Sequence, residues 1–119
     1  MSFKFENLLV WQKAIDVSYD INMLVSHFPK EEVYVLSSQL KRAADSISLN
    51  IAEGSTGQSN AGFARFLNYS IRSAIEVVSG LFLARKRNLI NEDEFKVNYE
   101  KIELLVKMLQ SLKNSLEGS

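Results

Sequence analysis

The sequence predicts an all-α fold, four helices in antiparallel up-down-up-down order within a single domain spanning residues 1–119. Three observations predict it. Apolar residues recur at three- and four-residue steps along four successive stretches, the spacing that gathers side chains onto one face of a helix. No stretch sustains the period-two alternation of a half-buried strand. One proline and five glycines punctuate the whole chain, and the breaks between apolar stretches are short, which sets consecutive helices side by side in opposite directions.

The first helix is predicted over residues 8–27, with Val10, Ala14, Val17, Ile21, Leu24 and Phe28 as its stripe and Asn7 as its N-cap. "FPKEE" then breaks the pattern. Pro29 suits the first turn of a new helix, and Glu31 and Glu32 suit its positive N-terminal end. The second helix is predicted over 30–53, where Val33, Leu36, Leu40, Ala43, Ala44, Ile47 and Ile51 fall on one face. Gly54 follows the last periodic residue and is predicted to take the left-handed cap conformation, which costs a glycine nothing. "STGQS" reads as a flexible polar link, with Ser59 as the next N-cap. The third helix, predicted over 59–86 and roughly 42 Å long at 1.5 Å per residue, carries Phe63, Phe66, Leu67, Ser70, Ala74, Val77 and Leu81. "NLIN" ends it. Asn91, with Glu94 three residues on, forms a capping-box pattern at the start of a fourth helix over 91–116. That helix repeats Phe95, Ile102, Leu105, Leu109, Leu112 and Leu116.

Two helices carry more apolar surface than one core needs. A helix in a four-helix bundle requires a single stripe on the order of 100° wide. The third helix has a second seam of Ala64, Ile71, Ile75, Val78 and Phe82, and the first has Leu8, Trp11, Ile15 and Tyr19 set aside from its main stripe. Uncovered patches of this kind mark interfaces, so these nine residues are the candidate contact between copies of the chain.

Composition excludes several classes of function. Apolar residues are 46% and charged residues 24% of the chain, the balance of a soluble globular protein. The absence of cysteine removes disulfides, thiolate metal sites and a thiol nucleophile. No apolar run approaches the roughly 20 residues of a membrane span, and "MSFKFENLLVWQK" lacks the pattern of a leader, so a cytoplasmic location is expected. Di-iron centres in bundles use Glu-x-x-His motifs, and the one histidine, His27, lies in none. No catalytic residue, cofactor or metal ligand is assigned.

Net charge is zero, yet unevenly spread. Residues 58–90 hold Arg65, Arg72, Arg85, Lys86 and Arg87 against Glu76 alone, a balance of +4, while the segments on either side are each −2. Arg65, Tyr69, Arg72 and Glu76 share one face opposite the core stripe, and an arginine–aromatic–arginine ladder can touch phosphate and stack on a base. Arg65, Tyr69, Arg72, Arg85, Lys86 and Arg87 are therefore the candidate nucleic-acid contacts, to RNA or DNA. The bland reading is a solvated face with an Arg72–Glu76 pair and cations answering the helix dipole. A second candidate is a polar network of Arg42, Asn50, Glu53, Arg65 and Glu76. Glu53 sits at the negative end of its helix and calls for a cation, from Arg42 or Arg65.

"FENLLVWQKAI", "FPKEEVYVLSSQLKRAADSISLNIAEG", "FARFLNYSIRSAIE" and "LFLARKRNLI" together resemble a bacterial four-helix-bundle family, the proteins encoded in intervening sequences of 23S rRNA genes, also called the S23 ribosomal protein family. The most specific part is Gln39 to Gly54. The resemblance implies a ring-like homo-oligomer, typically a homopentamer. It also implies kinship with the basic, nucleic-acid-binding accessory protein of diversity-generating retroelements, which associates with a reverse transcriptase. Gly62 stands where the family usually has an acid, and Val35 where a glycine often follows the tyrosine. The implied partners are further copies of the chain and RNA, DNA or a nucleic-acid-handling protein, with no membrane and no metal. An interaction scaffold is the leading expectation and a nucleic-acid-binding accessory factor the alternative.

Overall fold

A computed structural model describes residues 2–57 and 59–118. Four α-helices follow one another: α1 (Leu9–Val25), α2 (Ser38–Gly54), α3 (Asn60–Lys86) and α4 (Glu92–Glu117), and no strand occurs among the described residues. Their stripes meet in one core. Val10, Ala14, Val17, Ile21 and Leu24 of α1 are buried with Leu40, Ala44, Ile47 and Ile51 of α2, Leu67, Ala74, Val77 and Leu81 of α3, and Ile102, Leu105 and Leu109 of α4. The α2–α3 and α3–α4 seams are the most extensive, and of the four adjacent pairs α1 and α4 meet least.

The helix ends depart from the predicted ones in instructive ways. A 3₁₀ turn over Lys4–Asn7 precedes α1, whose cap is Leu8 rather than Asn7; the Trp11 and Gln12 amides both reach the Leu8 carbonyl. Beyond Pro29 the chain makes a 3₁₀ turn (Lys30–Glu32) and a π turn (Val33–Ser37) before α2 begins at Ser38. A π turn holds one residue more per hydrogen-bonded ring than an α turn and so rotates the face that follows. Here Leu36 and Ser37 turn inward, and Val33, Tyr34 and Val35 are exposed.

Gly54 does not take the left-handed cap. It is the last residue of α2, and positive φ falls instead on Gly57 (88°) and on Asn88 (58°). The glycine is needed for proximity: a Cβ at Gly54 would stand 2.5 Å from the Cβ of Phe66 in α3. Asn88 closes α3 with paired bonds, Leu89 N–H to the Ala84 carbonyl at 2.9 Å and Asn88 N–H to that of Arg85 at 3.0 Å, a Schellman ending. The link predicted over 55–59 includes Gln58, which lies outside the described residues. Ser59 accepts from the Gly62 amide at 3.0 Å, and Asn91 and Glu94 complete their reciprocal box at 2.8 Å each way. Replacing Asn91 with alanine leaves the Glu94 amide without its acceptor, and a loss of about 1 kcal/mol in urea unfolding is the expected outcome.

Candidate functional site

The surface, rather than a cleft, carries the features that fold assembly leaves unexplained. On α3, Ile75 is 57% and Phe82 45% exposed, although Phe82 rests edge-on against Phe95 and Tyr99 of α4 at ring distances of 4.9 and 6.2 Å. Val78, between them, is half-buried against the core. On α1, Ile15 and Tyr19 are exposed, while Leu8 and Trp11 are half-buried against the core and the Trp11 ring meets Phe5 at 4.8 Å. Two residues of the predicted interface belong elsewhere. Ala64 and Ile71 are buried within the subunit, because α4 packs along that side of α3 and covers them.

Between α1 and α4, where the two helices meet least, lies a groove of about 250 Å³. Val17, Leu105 and Met108 line it together with exposed Tyr19 and Leu104, and Lys13, Asp16, Asp20 and Lys101 complete its wall. Lys101 Nζ donates to Asp20 Oδ2 at 2.7 Å across it. The groove continues past Met23, His27, Glu94 and Val97. The sequence reading named one stripe on α4 and did not single out this face; the signal was the pair Val97 and Leu104, seven residues apart and off that stripe.

The predicted polar network is not assembled inside the subunit. Asn50 donates to the Ser46 carbonyl of its own helix at 2.8 Å, and Arg42, Glu53, Arg65 and Glu76 are exposed. Among the described residues, ion pairs join Arg85 to Glu92, Arg87 to Glu32, Lys101 to Asp20 and Lys113 to Glu117, and none reaches Glu53, Arg42, Arg65 or Glu76. The bond between α2 and α3 that is made comes from buried Ser70, whose hydroxyl donates to the Ile47 carbonyl at 2.9 Å. A second polar contact, unforeseen in the sequence, ties α1 to α2: the Ser18 hydroxyl donates to Asp45, and Asn22 reaches the same carboxylate at 3.4 Å.

The basic set divides in two. Arg65, Tyr69 and Arg72 stand exposed on the outer face of α3, with the Arg65 guanidinium 5.8 Å from the Phe66 ring. The end of the helix is committed to structure. Arg85 lies 3.9 Å over the Phe95 ring and 5.1 Å from Phe82, with Glu92 at 3.6 Å, which clamps α3 to the start of α4. Arg87 pairs with Glu32 at 3.4 Å. Of this triplet, Lys86 alone is left without an ion pair among the described residues. No group of three or more His, Cys, Asp or Glu among them is arranged to hold a metal ion, and no helix is long and apolar enough to cross a membrane.

Four α-helices around one core, with apolar side chains left outside it, define a small helical protein of the bundle class. Residues 6–111 match the family described as 23S rRNA-intervening sequence protein, and the chain belongs to that family. Among solved structures it is similar to a protein of unknown function from the S23 ribosomal protein family of Bacteroides thetaiotaomicron: 24% identity, a TM-score of 0.79, and coverage of 88% of this chain and 98% of that one. Among curated proteins, none matches.

Proposed function

We propose that this chain is a non-enzymatic scaffold of the cytoplasm that works as a homo-oligomer, its helices in an antiparallel up-down-up-down bundle and its copies in a ring, for which the resemblance implies five. The contacts of Gly54 with Phe66 and of Gly80 with Leu40 support the antiparallel order of α2 and α3, since they run in opposite directions along the two helices. One observation carries the self-association: Ile75 and Phe82 on α3, with Ile15 and Tyr19 on α1, keep about half of their surface uncovered after the subunit's own core is complete. Patches of this kind are found where another protein surface seats. Size-exclusion chromatography with light scattering at micromolar concentration is expected to return a multiple of the 13.5 kDa subunit mass. A clean monomer overturns the reading.

The second reading, an accessory factor that binds RNA or DNA, is favoured by the exposed Arg65–Tyr69–Arg72 ladder, neither of whose arginines is held in an ion pair among the described residues. Repetition of that face around an oligomer would add weak phosphate contacts. Its expected signature is binding to structured RNA that weakens steeply with salt and is lost in an Arg65→Gln/Arg72→Gln variant; no binding at low salt ends it.

A further inference from the structure

We propose that the head of α2 is a register switch. The 3₁₀ turn at Lys30–Glu32 and the π turn at Val33–Ser37 convert together into one continuous α-helix, and the Glu32–Arg87 ion pair is the latch that holds them as they stand. The backbone allows this at little displacement. A 3₁₀ ring is one residue shorter than an α ring, and a π ring one residue longer. Placed in succession the two departures cancel. An unbroken α-helix over residues 30–37 therefore joins buried Phe28 to Ser38 with both close to where they are, and the residues between them turn.

Two observations favour the second register. Val33 keeps helical spacing with Leu36 and Leu40, which are buried, yet Val33 itself is 46% exposed. In a continuous helix it turns by about 100° onto the column of Leu40, two turns further on. Space to receive it lies beside Leu36 and Leu40, a cavity of about 230 Å³ walled on the α3 side by Glu76, Ser79, Gly80 and exposed Leu83. The second observation is Ser37, whose hydroxyl is buried and has no hydrogen-bond partner among the described residues. A continuous helix places the Val33 carbonyl four residues behind it, the acceptor a helical serine hydroxyl reaches. Against both stands the latch. Arg87 Nη1 lies 3.4 Å from Glu32 Oε1, and the same rotation carries Glu32 away from it. A partly exposed pair of this kind shifts a population by no more than about fivefold, enough to select a register and little enough to be displaced. Opening it frees a cation next to Lys86 in the same step that withdraws Val33 from the surface.

Thiol labelling tests this. The chain has no cysteine, so Val33→Cys introduces a single thiol whose reaction with dithionitrobenzoate reads the exposure of position 33. Glu32→Gln and Arg87→Gln open the latch from either side, and each is expected to slow that labelling about twofold or more as the α register gains population. Adding Ser37→Ala to Glu32→Gln removes the hydroxyl bond that favours the α register and is expected to return the rate toward that of Val33→Cys alone. Leu49→Cys, exposed on α2 beyond the switch, should label at one rate in every background, and far-UV circular dichroism verifies the folding. An unchanged rate at position 33 with the latch open overturns the proposal. So does a faster one, which would mean that the segment frays instead of changing register. Slowing in only one of the two latch variants overturns the ion pair as the latch.

Discussion

Replacing Gly54 with alanine is expected to destabilise the chain by about 1–3 kcal/mol, even though alanine is the better helix former by about 1 kcal/mol. The added methyl would lie 2.5 Å from the Phe66 Cβ and 3.0 Å from Phe63 Cδ1. A Cβ cannot be rotated away; it moves only with the backbone that bears it. Relief therefore requires the end of α2 and the first turns of α3 to part. That separation would disturb the inter-helix bond from Ser70 to the Ile47 carbonyl and the packing of Ile51 and Leu67, all deep in the core. Urea unfolding at fixed subunit concentration measures it: the midpoint should fall with the slope unchanged. A midpoint equal to or above that of wild type would show that the two helices have room to spare and that glycine is there for another reason.

Gly54 also marks where the sequence stops being readable. A glycine after a periodic run signals that something there forbids a side chain, and the common cause is a positive φ. The actual cause is Phe66, twelve residues further on and brought back by the turn at Gly57. Tertiary neighbours of that sort leave no mark in local spacing. Periodic stripes do: Val10, Ala14, Val17 and Ile21 could be assigned to the core because 3.6 residues per turn leaves them no other face. The Asn91–Glu94 box was legible for the same reason, both partners lying within one turn. The π turn at Val33–Ser37 was not, since Leu36 and Leu40 keep helical spacing while the backbone between Val33 and Ser37 changes its ring size. At the candidate surface, Ile75 and Phe82 could be set apart from the main stripe, but Ala64 and Ile71 lie only slightly nearer the core, and the placement of α4 decides between them. Arg85 was legible as a charge near a helix end. That it is spent on the faces of Phe95 and Phe82 follows only from how α4 docks.

The largest single loss is expected from Leu40→Ala, about 2–5 kcal/mol, and it should be partly reversible by a second substitution that is harmful alone. Leu40 is 1% exposed and inserts its branch against the backbone of α3 at Gly80. A Cβ at Gly80 would meet Leu40 Cδ2 at 2.4 Å and Cγ at 3.0 Å. In the wild-type background Gly80→Ala is therefore overpacked, because the Leu40 branch must shift to admit the methyl, and a loss of about 1–3 kcal/mol follows. Truncating Leu40 removes the very atoms that obstruct that methyl and leaves a cavity in their place. In the Leu40→Ala background, Gly80→Ala fills part of the cavity, meets no obstruction and gains helix propensity, so its effect should change sign and stabilise. A coupling of about 0.5–3 kcal/mol in the double-mutant cycle expresses that reversal. Strict additivity of the two losses would mean that Leu40 and Gly80 do not share this space, and the close α2–α3 seam, on which the placement of every outward residue of α3 depends, would have to be drawn differently.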